Sequence, residues 1–405
     1  MTSTNEHRFD FILYGASSFV GQIMTEYLAS YQAESFTWAI AGRSETKLLE
    51  LKERLNIQSV AHFLADADDE AALSDLCSKA KAIVSTVGPY ALYGETLVKL
   101  CAQSGTDYCD LTGEPQWIKA MLEKYENDAK ASGARIVHCT GFDSIPSDLG
   151  VFKLQHLAIE RYSRAADSVK MRVRRIKGAA SGGTIASMLN VIKEAKDNPA
   201  LRKVLVNPYV LCPPEHGFTL RQKNHKKAEY DNAMKVWTMP FVMAAINERI
   251  VHRSNALQNN LYGENFRYDE AMTAKTGFQA WTFTLGLGAF MVAASISPLR
   301  RFLANKVLPK PGEGPSEEEQ LSGMFDMRFY ANIDGHDLCV KVYGDRDPGY
   351  GSTAKMLAQS VLCLSKDIPE LKGGFWTPAS AMGDKLISRL AQHAGVSIEE
   401  LETKK

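Results

Sequence analysis

The sequence predicts an α/β chain in two main parts. Residues 1–150 form a doubly wound, mostly parallel sheet, and residues 151–372 form an α+β part carrying an antiparallel sheet. A C-terminal helical segment, 373–405, returns to the first part. Three observations lead there: a strand, glycine turn and helix at the start of the chain; a regular alternation of strand and helix up to residue 150; and a change of pattern after Gly150. With 405 residues the chain is long for one domain and comfortable for two.

The opening unit is the most informative. Phe11 to Tyr14 is a short apolar run, Gly15 turns the chain, and Val20, Ile23, Met24, Tyr27 and Leu28 then recur at helical spacing. A strand, glycine turn and helix leave backbone N–H groups free at the positive end of a helix dipole, which suits a pyrophosphate. Gly15, Ser17, Ser18, Phe19, Val20 and Gly21 are therefore candidate phosphate-binding residues. The spacing is G-x-x-x-x-x-G, with Ser18 where a middle glycine is usual. Residues 36–41 make the second strand, and it ends in Gly42-Arg43-Ser44. An acid at that place would accept the ribose 2′-OH of NAD. The guanidinium of Arg43 and the hydroxyl of Ser44 instead fit the 2′-phosphate of NADP.

Strands are expected at 9–14, 36–41, 60–64, 82–87, 107–111 and 135–140, and helices at 19–31, 44–55, 69–79, 94–104 and 115–132. This alternation means right-handed crossovers and a parallel sheet. Asp66, just past the third strand, is placed to accept from an adenine amino group, or to be a solvated loop acid. Gly88 and Pro89 end the fourth strand in a turn that brings backbone to the nicotinamide half of a dinucleotide crevice.

After Gly150, residues 168–176 alternate as a strand with a basic face, Arg172, Arg174 and Arg175. Gly182-Gly183-Thr184 opens a helix over 185–196, with Thr184 or Ser181 as its cap. Residues 199–232 read as irregular. Residues 325–343 alternate around Asn332-Ile-Asp-Gly335, a hairpin signal, and 351–365 form an amphipathic helix. Residues 309–319 read as an exposed loop.

From Thr276 to Leu299 there are 24 residues without a charge, flanked by Lys275 on one side and Arg300 and Arg301 on the other. As a helix, residues 277–297 would span about 31 Å, close to a bilayer core. Gln279, Thr282, Thr284, Ser295 and Ser297 dilute the segment, and Gly286 and Gly288 weaken it. Three readings stay open: a core or dimer helix, a lipid-facing segment at a membrane surface, and a span. The expectation is a helix packed partly on the second part, with one face available to lipid or to a second subunit of a homodimer.

Composition excludes little and adds a location. The 47 basic and 47 acidic residues cancel, so charge gives no case for nucleic acid. Seven scattered cysteines without a C-x-x-C pair read as buried thiols in a reducing compartment, and no metal-ligand spacing occurs among nine histidines. The N-terminus lacks an apolar signal core, so a cytoplasmic location is expected, with membrane association through 276–299 in the lipid-facing reading.

Four stretches together resemble the saccharopine dehydrogenase-like oxidoreductases, in particular their trans-acting enoyl reductase branch: GASSFVG with AGR, Val87–Glu114, Gly141–Gly150 and Ser181–Thr184. The segment GGFWTPASAMG near the C-terminus fits as well, whereas the resemblance is weak between about 200 and 325. It implies an NADP-binding Rossmann domain, a second domain that holds substrate and helps dimerise, and a link to lipid chemistry. An enoyl group accepts hydride at its β-carbon, and a donor must then stabilise the enolate or protonate the α-carbon. Tyr90, Tyr93, Tyr108, Asp110, Glu114, Asp143 and Ser144 lie near the relevant strand ends, with Tyr93, Tyr90 and Asp143 as the named candidates. Two competing readings are an imine or amino-acid reductase of the saccharopine type, for which the run Arg172, Arg174, Arg175 is the one hint, and a non-catalytic, lipid-associated NADP-binding protein.

Overall fold

The apolar run Phe9–Tyr14 becomes β1, with Phe11, Ile12 and Leu13 fully buried because helices cover both faces of a parallel sheet. The computed structural model describes residues 9–178, 182–303, 306 and 314–402. Ser181, one of the two expected caps, and residues 309–313 of the expected loop lie outside them. The chain divides into two compact units: residues 1–112, 117–142 and 350–394, and residues 113–116, 143–349 and 395–405.

The first unit holds a seven-stranded parallel sheet. Its strands are β1, β2 (Trp38–Gly42), β3 (Ala61–Leu64), β4 (Ala80–Ser85), β5 (Asp107–Asp110), β6 (Arg135–Val137) and β13 (Gly374–Trp376). Their order is β13-β6-β5-β4-β1-β2-β3, so the chain reverses direction across the sheet between β1 and β4. Ligands collect at the carboxyl ends of strands at such a point. Helices Phe19–Ser30, Glu45–Arg54 and Glu70–Lys79 begin on Ser18, Ser44 and Asp69, each accepting from a first-turn amide. The helix Gly351–Lys366 packs on β1, β4 and β5, and it is buried along most of its length.

The second unit holds a mixed sheet: β7 (Ser168–Lys177), β8 (Glu229–Asp231), β9 (Val236–Met239), β10 (Arg267–Ala274), β11 (Met324–Ile333), β12 (His336–Gly344) and β14 (Val396–Glu400). The order is β14-β12-β11-β7-β10-β9-β8. All pairs are antiparallel except β7 with β10, so the expected antiparallel sheet is present with one parallel pair. The hairpin β11–β12 turns on Asp334 and Gly335, both at positive φ (51° and 89°), the backbone that a two-residue turn of this hand requires.

Several expectations need correction. The first unit ends at Phe142 rather than Gly150, because the helix Ile145–Tyr162 packs on β11 and β12. A Cβ on Gly150 would lie 2.4 Å from the Phe329 ring. The long segment of the second unit ends at Gly349 rather than residue 372, since the buried helix Gly351–Lys366 is part of the first unit's core. Residues 199–232 are not all irregular: Asn198 caps a helix Pro199–Val206, and β8 follows. Thr184 lies inside the helix Gly182–Asp197 and does not cap it. The segment after residue 372 supplies β13 before its helix Pro378–Arg389, and β14 then joins the second sheet.

Candidate functional site

The glycine turn of the first unit is built by sterics. Gly15 sits at φ +89°, and a Cβ on it would fall 2.7 Å from both Thr86 Oγ1 and Val87 Cγ2. A Cβ on Gly21 would meet the Gly15 carbonyl oxygen at 2.2 Å. Both positions therefore admit only hydrogen. Ser18 makes up for the missing middle glycine: its Oγ accepts from the Gly21 amide at 2.9 Å and lies 2.9 Å from Thr86 Oγ1. Thr86 in turn donates to the Gly15 carbonyl at 2.9 Å, tying the end of β4 to the turn after β1. The amides of Ser17, Phe19 and Val20 have no acceptor among the described residues. Three amides at a helix N-terminus, beside a turn that excludes side chains, fit a pyrophosphate. The Phe19 ring stands edge-on to Tyr350 at 4.7 Å, so the first residue of that helix is fixed.

At the end of β2, Arg43 is exposed and has no carboxylate within ion-pair distance among the described residues. Ser44 caps the next helix, its Oγ accepting from Lys47 N at 3.5 Å, so its own O–H remains a donor. Asp66 is an exposed loop residue whose Oδ1 accepts from Asp68 N at 3.4 Å. Both charges reach β1: burial chiefly, then Asp66, push the Tyr14 hydroxyl up to about 12, while Arg43 opposes them. Arg43 follows β2 and Asp66 follows β3, its neighbour in the sheet.

Gly88 and Pro89, joined by a cis peptide, follow β4, and Pro89 starts the short helix Tyr90–Tyr93. The Tyr90 hydroxyl donates to Ser85 O at 2.9 Å and accepts from Leu111 N at 3.1 Å, which commits its proton to backbone. Tyr90 thus joins the ends of β4 and β5 and is poorly suited to give a proton to substrate. Tyr93 is exposed on the same helix. Asp110 is buried against His138 Nδ1 at 2.7 Å and accepts from Thr112 N at 3.1 Å. Tyr108 is fully buried, and desolvation pushes its hydroxyl well above the usual range. Gly141 is a packing glycine, since a Cβ there would lie 2.6 Å from Leu111. The next amide, of Phe142, donates to Thr353 Oγ1 at 3.0 Å.

The second unit carries a group of acids that sequence reading named only in part. Asp143 is the first residue of the long segment 143–349. It is partly exposed. Lost hydration, then the charge of Glu270, raises its carboxyl to about 7. Glu270 on β10 accepts from Tyr268 OH at 2.7 Å and from Asn247 Nδ2 at 2.9 Å. Burial outweighs those donors and raises Glu270 to about 7 as well. Glu248 accepts from the Glu270 amide at 3.3 Å, and burial raises it well above the carboxylate range. None of Tyr268, Glu270, Asn247 or Glu248 was expected, because their convergence depends on β10 lying against the helix Ala244–Leu257. Glu114 accepts from Ser187 Oγ at 2.7 Å, within the second unit. Ser144 is fully enclosed.

Arg172 does not belong to a solvated face. It is fully buried on β7, with Nη1 on Asp269 Oδ1 at 2.7 Å; His225 Nε2 lies 2.6 Å from the same oxygen. Its charge is spent inside the unit, while Arg174 and Arg175 are exposed. Among the described residues no cluster of His, Cys, Asp and Glu could hold a metal ion.

Comparison with known proteins agrees with this architecture. Residues 11–137 match the saccharopine dehydrogenase NADP binding domain. A putative trans-acting enoyl reductase of Mycobacterium tuberculosis is 39% identical over 419 aligned positions, covering 98% of this chain and 99% of the relative. A trans-acting enoyl reductase of Mycobacterium bovis is 36% identical, with 96% and 97% covered. Among solved structures, the saccharopine dehydrogenase (L-Glu forming) of Saccharomyces cerevisiae superposes with a TM-score of 0.58 at 13% identity, covering 98% of this chain and all of that one. The last likeness is one of fold.

Proposed function

Since this chain belongs to the saccharopine dehydrogenase-like oxidoreductases, in their trans-acting enoyl reductase branch, we propose that it reduces the activated C=C bond of an enoyl group on a lipid or acyl-type small molecule. The cofactor is NADP, and the chain is an oxidoreductase. When bound, NADPH supplies the hydride. The residues that fit it are the turn Gly15–Gly21, through the amides of Ser17, Phe19 and Val20, with Ser18 holding the turn. Arg43 and Ser44 are assigned to the 2′-phosphate, Asp66 to the adenine amino group, and Gly88 with Pro89 to the nicotinamide end. NADPH is accordingly preferred over NADH.

The observation that carries the reaction type is the carboxyl of Asp143, raised to about 7. A carboxylic acid still half protonated at neutral pH can donate a proton, as an ordinary aspartate cannot. Hydride adds to the β-carbon, the π electrons move to the carbonyl oxygen as an enolate, and Asp143 gives its proton to the α-carbon. The aspartate is then reprotonated from water, so one hydride and one proton are added across the double bond. Burial, helped by the charge of Glu270, holds Asp143 protonated, and Tyr268 and Asn247 donate to Glu270. Tyr93, exposed on the short helix after Pro89, is assigned as a hydroxyl donor for the enolate oxygen.

The test is NADPH oxidation by the purified chain against enoyl thioesters of increasing acyl length, enones, ketones and imines of amino acids. Turnover of enoyl thioesters supports the reading. Turnover of imines alone would overturn it in favour of a saccharopine-type reductase, and none at all in favour of a non-catalytic NADP-binding protein.

A further inference from the structure

The helix Gly277–Ser295 is apolar on every side, with Phe283 and Met291 also exposed, and the fold covers one stripe of it. Ala280, Thr284, Leu287, Phe290 and Ala294 recur at spacings of three and four and turn inward. Ala280 packs with Ala228, Met239 and Ala274, and Ala294 with Ile185 and Leu189 of the helix Gly182–Asp197. On the opposite face, Phe278, Trp281, Leu285, Ala289 and Val292 follow the same spacing and face water; beyond the helix, Ile296 in extended backbone and Leu299 on the short helix Ser297–Phe302 are exposed as well. Phe278 is 84% exposed, Leu285 67% and Val292 62%. Of the most apolar part of this helix, only 11% is buried. A single exposed leucine needs no explanation, but a stripe of five apolar residues along one helix, with two more exposed just beyond it, does.

Charge says what covers it. Between Ala271 and Gly312 the sequence has five cationic residues, Lys275, Arg300, Arg301, Lys306 and Lys310, and no acidic one. Lys275 precedes the apolar helix and Arg300 and Arg301 follow it; Lys275 and Arg301 are exposed. A second copy of the chain laid along this face, parallel or antiparallel, would set cationic ends against cationic ends. An anionic lipid surface would neutralise both ends while taking up the apolar stripe. A span is disfavoured by the inward stripe, which packs on β9, β10 and the helix Gly182–Asp197 and would have to leave them.

We propose that the outward face of Gly277–Ser295, continued through Ile296 and Leu299, docks this protein on an anionic membrane surface, with the helix lying in the plane of the headgroups. Trp281 and the flanking cations set its depth. This inference rests on the second unit's surface and is independent of the reaction assigned above.

The test is flotation of the full chain with phosphatidylcholine vesicles, with and without phosphatidylglycerol. The expected result is flotation that requires phosphatidylglycerol, weakens with salt and is stripped by carbonate. Leu285→Glu with Val292→Glu should weaken partitioning tenfold or more, and Arg301→Glu should weaken it in the same direction. Because these side chains are exposed, melting temperature should not fall in either variant. Carbonate-resistant protein would overturn the proposal in favour of a span. A dimer that does not float, and that Leu285→Glu dissociates, would overturn it in favour of a second copy. A monomer that fails to float would overturn it outright.

Discussion

The hydroxyls of Ser18 and Thr86 meet at 2.9 Å, joining the start of the first helix to the residue just after β4 across the carboxyl end of β1. The same Thr86 hydroxyl donates to the Gly15 carbonyl. A serine at the middle position of the glycine motif is thus part of a small network that fixes the phosphate turn. Thr86→Val keeps the shape and removes both bonds. It should cost about 1–3 kcal/mol of stability and weaken NADPH binding several-fold. Denaturant unfolding and calorimetric titration measure the two effects; unchanged values in both would remove Thr86 from the cradle.

Arg43 is predicted to choose the nucleotide. Arg43→Ala should weaken NADPH binding by about 1–3 kcal/mol, as loss of a charge-assisted contact, and leave NADH binding nearly unchanged. Its exposure, and its lack of a carboxylate partner among the described residues, mean stability should not change. Equal losses for both nucleotides in titration would contradict the 2′-phosphate assignment.

Arg172 is predicted to be structural. Removing one partner of a buried ion pair leaves the other charge stranded, so Arg172→Met should destabilise by about 3 kcal/mol. His225, on the same Asp269 oxygen, limits the loss. Thermal melting checks this. A raised KM with an unchanged melting temperature would instead mean that Arg172 meets substrate carboxylates.

Asp143 gives the reaction its pH dependence. Its carboxyl is raised to about 7, so the donating form is present below that pH and lost above it. The turnover rate should therefore be flat below pH 7 and fall about tenfold per unit above it. Asp143→Asn should remove the pH break and slow turnover by about 10²–10⁴ with NADPH affinity intact. For stability the sign is opposite to that of a salt-bridged acid. The native state holds this proton more tightly than the unfolded chain, so the contribution is full below the ordinary aspartate range and declines as pH rises towards 7.

Much of the first unit was legible because its signals are local. β1 is found at 9–14 and the helix Pro115–Ser132 at 115–132, as expected, since apolar runs and turn residues mark them. The positive-φ turn at Asp334–Gly335 was likewise carried by its own residues. The roles of Gly15 and Gly21 were legible in outline, but the structure adds that each is also a packing position. Gly15→Val would strain the fold as well as the phosphate site, so it is a poor probe of binding alone. What escaped the sequence depends on tertiary approach. Arg172 looks like a solvated charge until β10 brings Asp269 to it. Glu248 and Glu270, far apart from Asp143 in the chain, look like ordinary surface acids until burial raises them. The apolar stretch 276–299 was recognised by its lack of charge, but only the packed stripe separates its used face from its free one.

The central claim is hydride transfer to an enoyl carbon. It is tested most directly by turning over an α,β-unsaturated acyl thioester with NADPH deuterated at the transferring position and locating the label by mass spectrometry. One deuterium on the β-carbon, with the α-hydrogen drawn from solvent when the reaction is run in D2O, is the predicted result. Deuterium on a carbonyl or imine carbon, or no label in any acyl product, would contradict it.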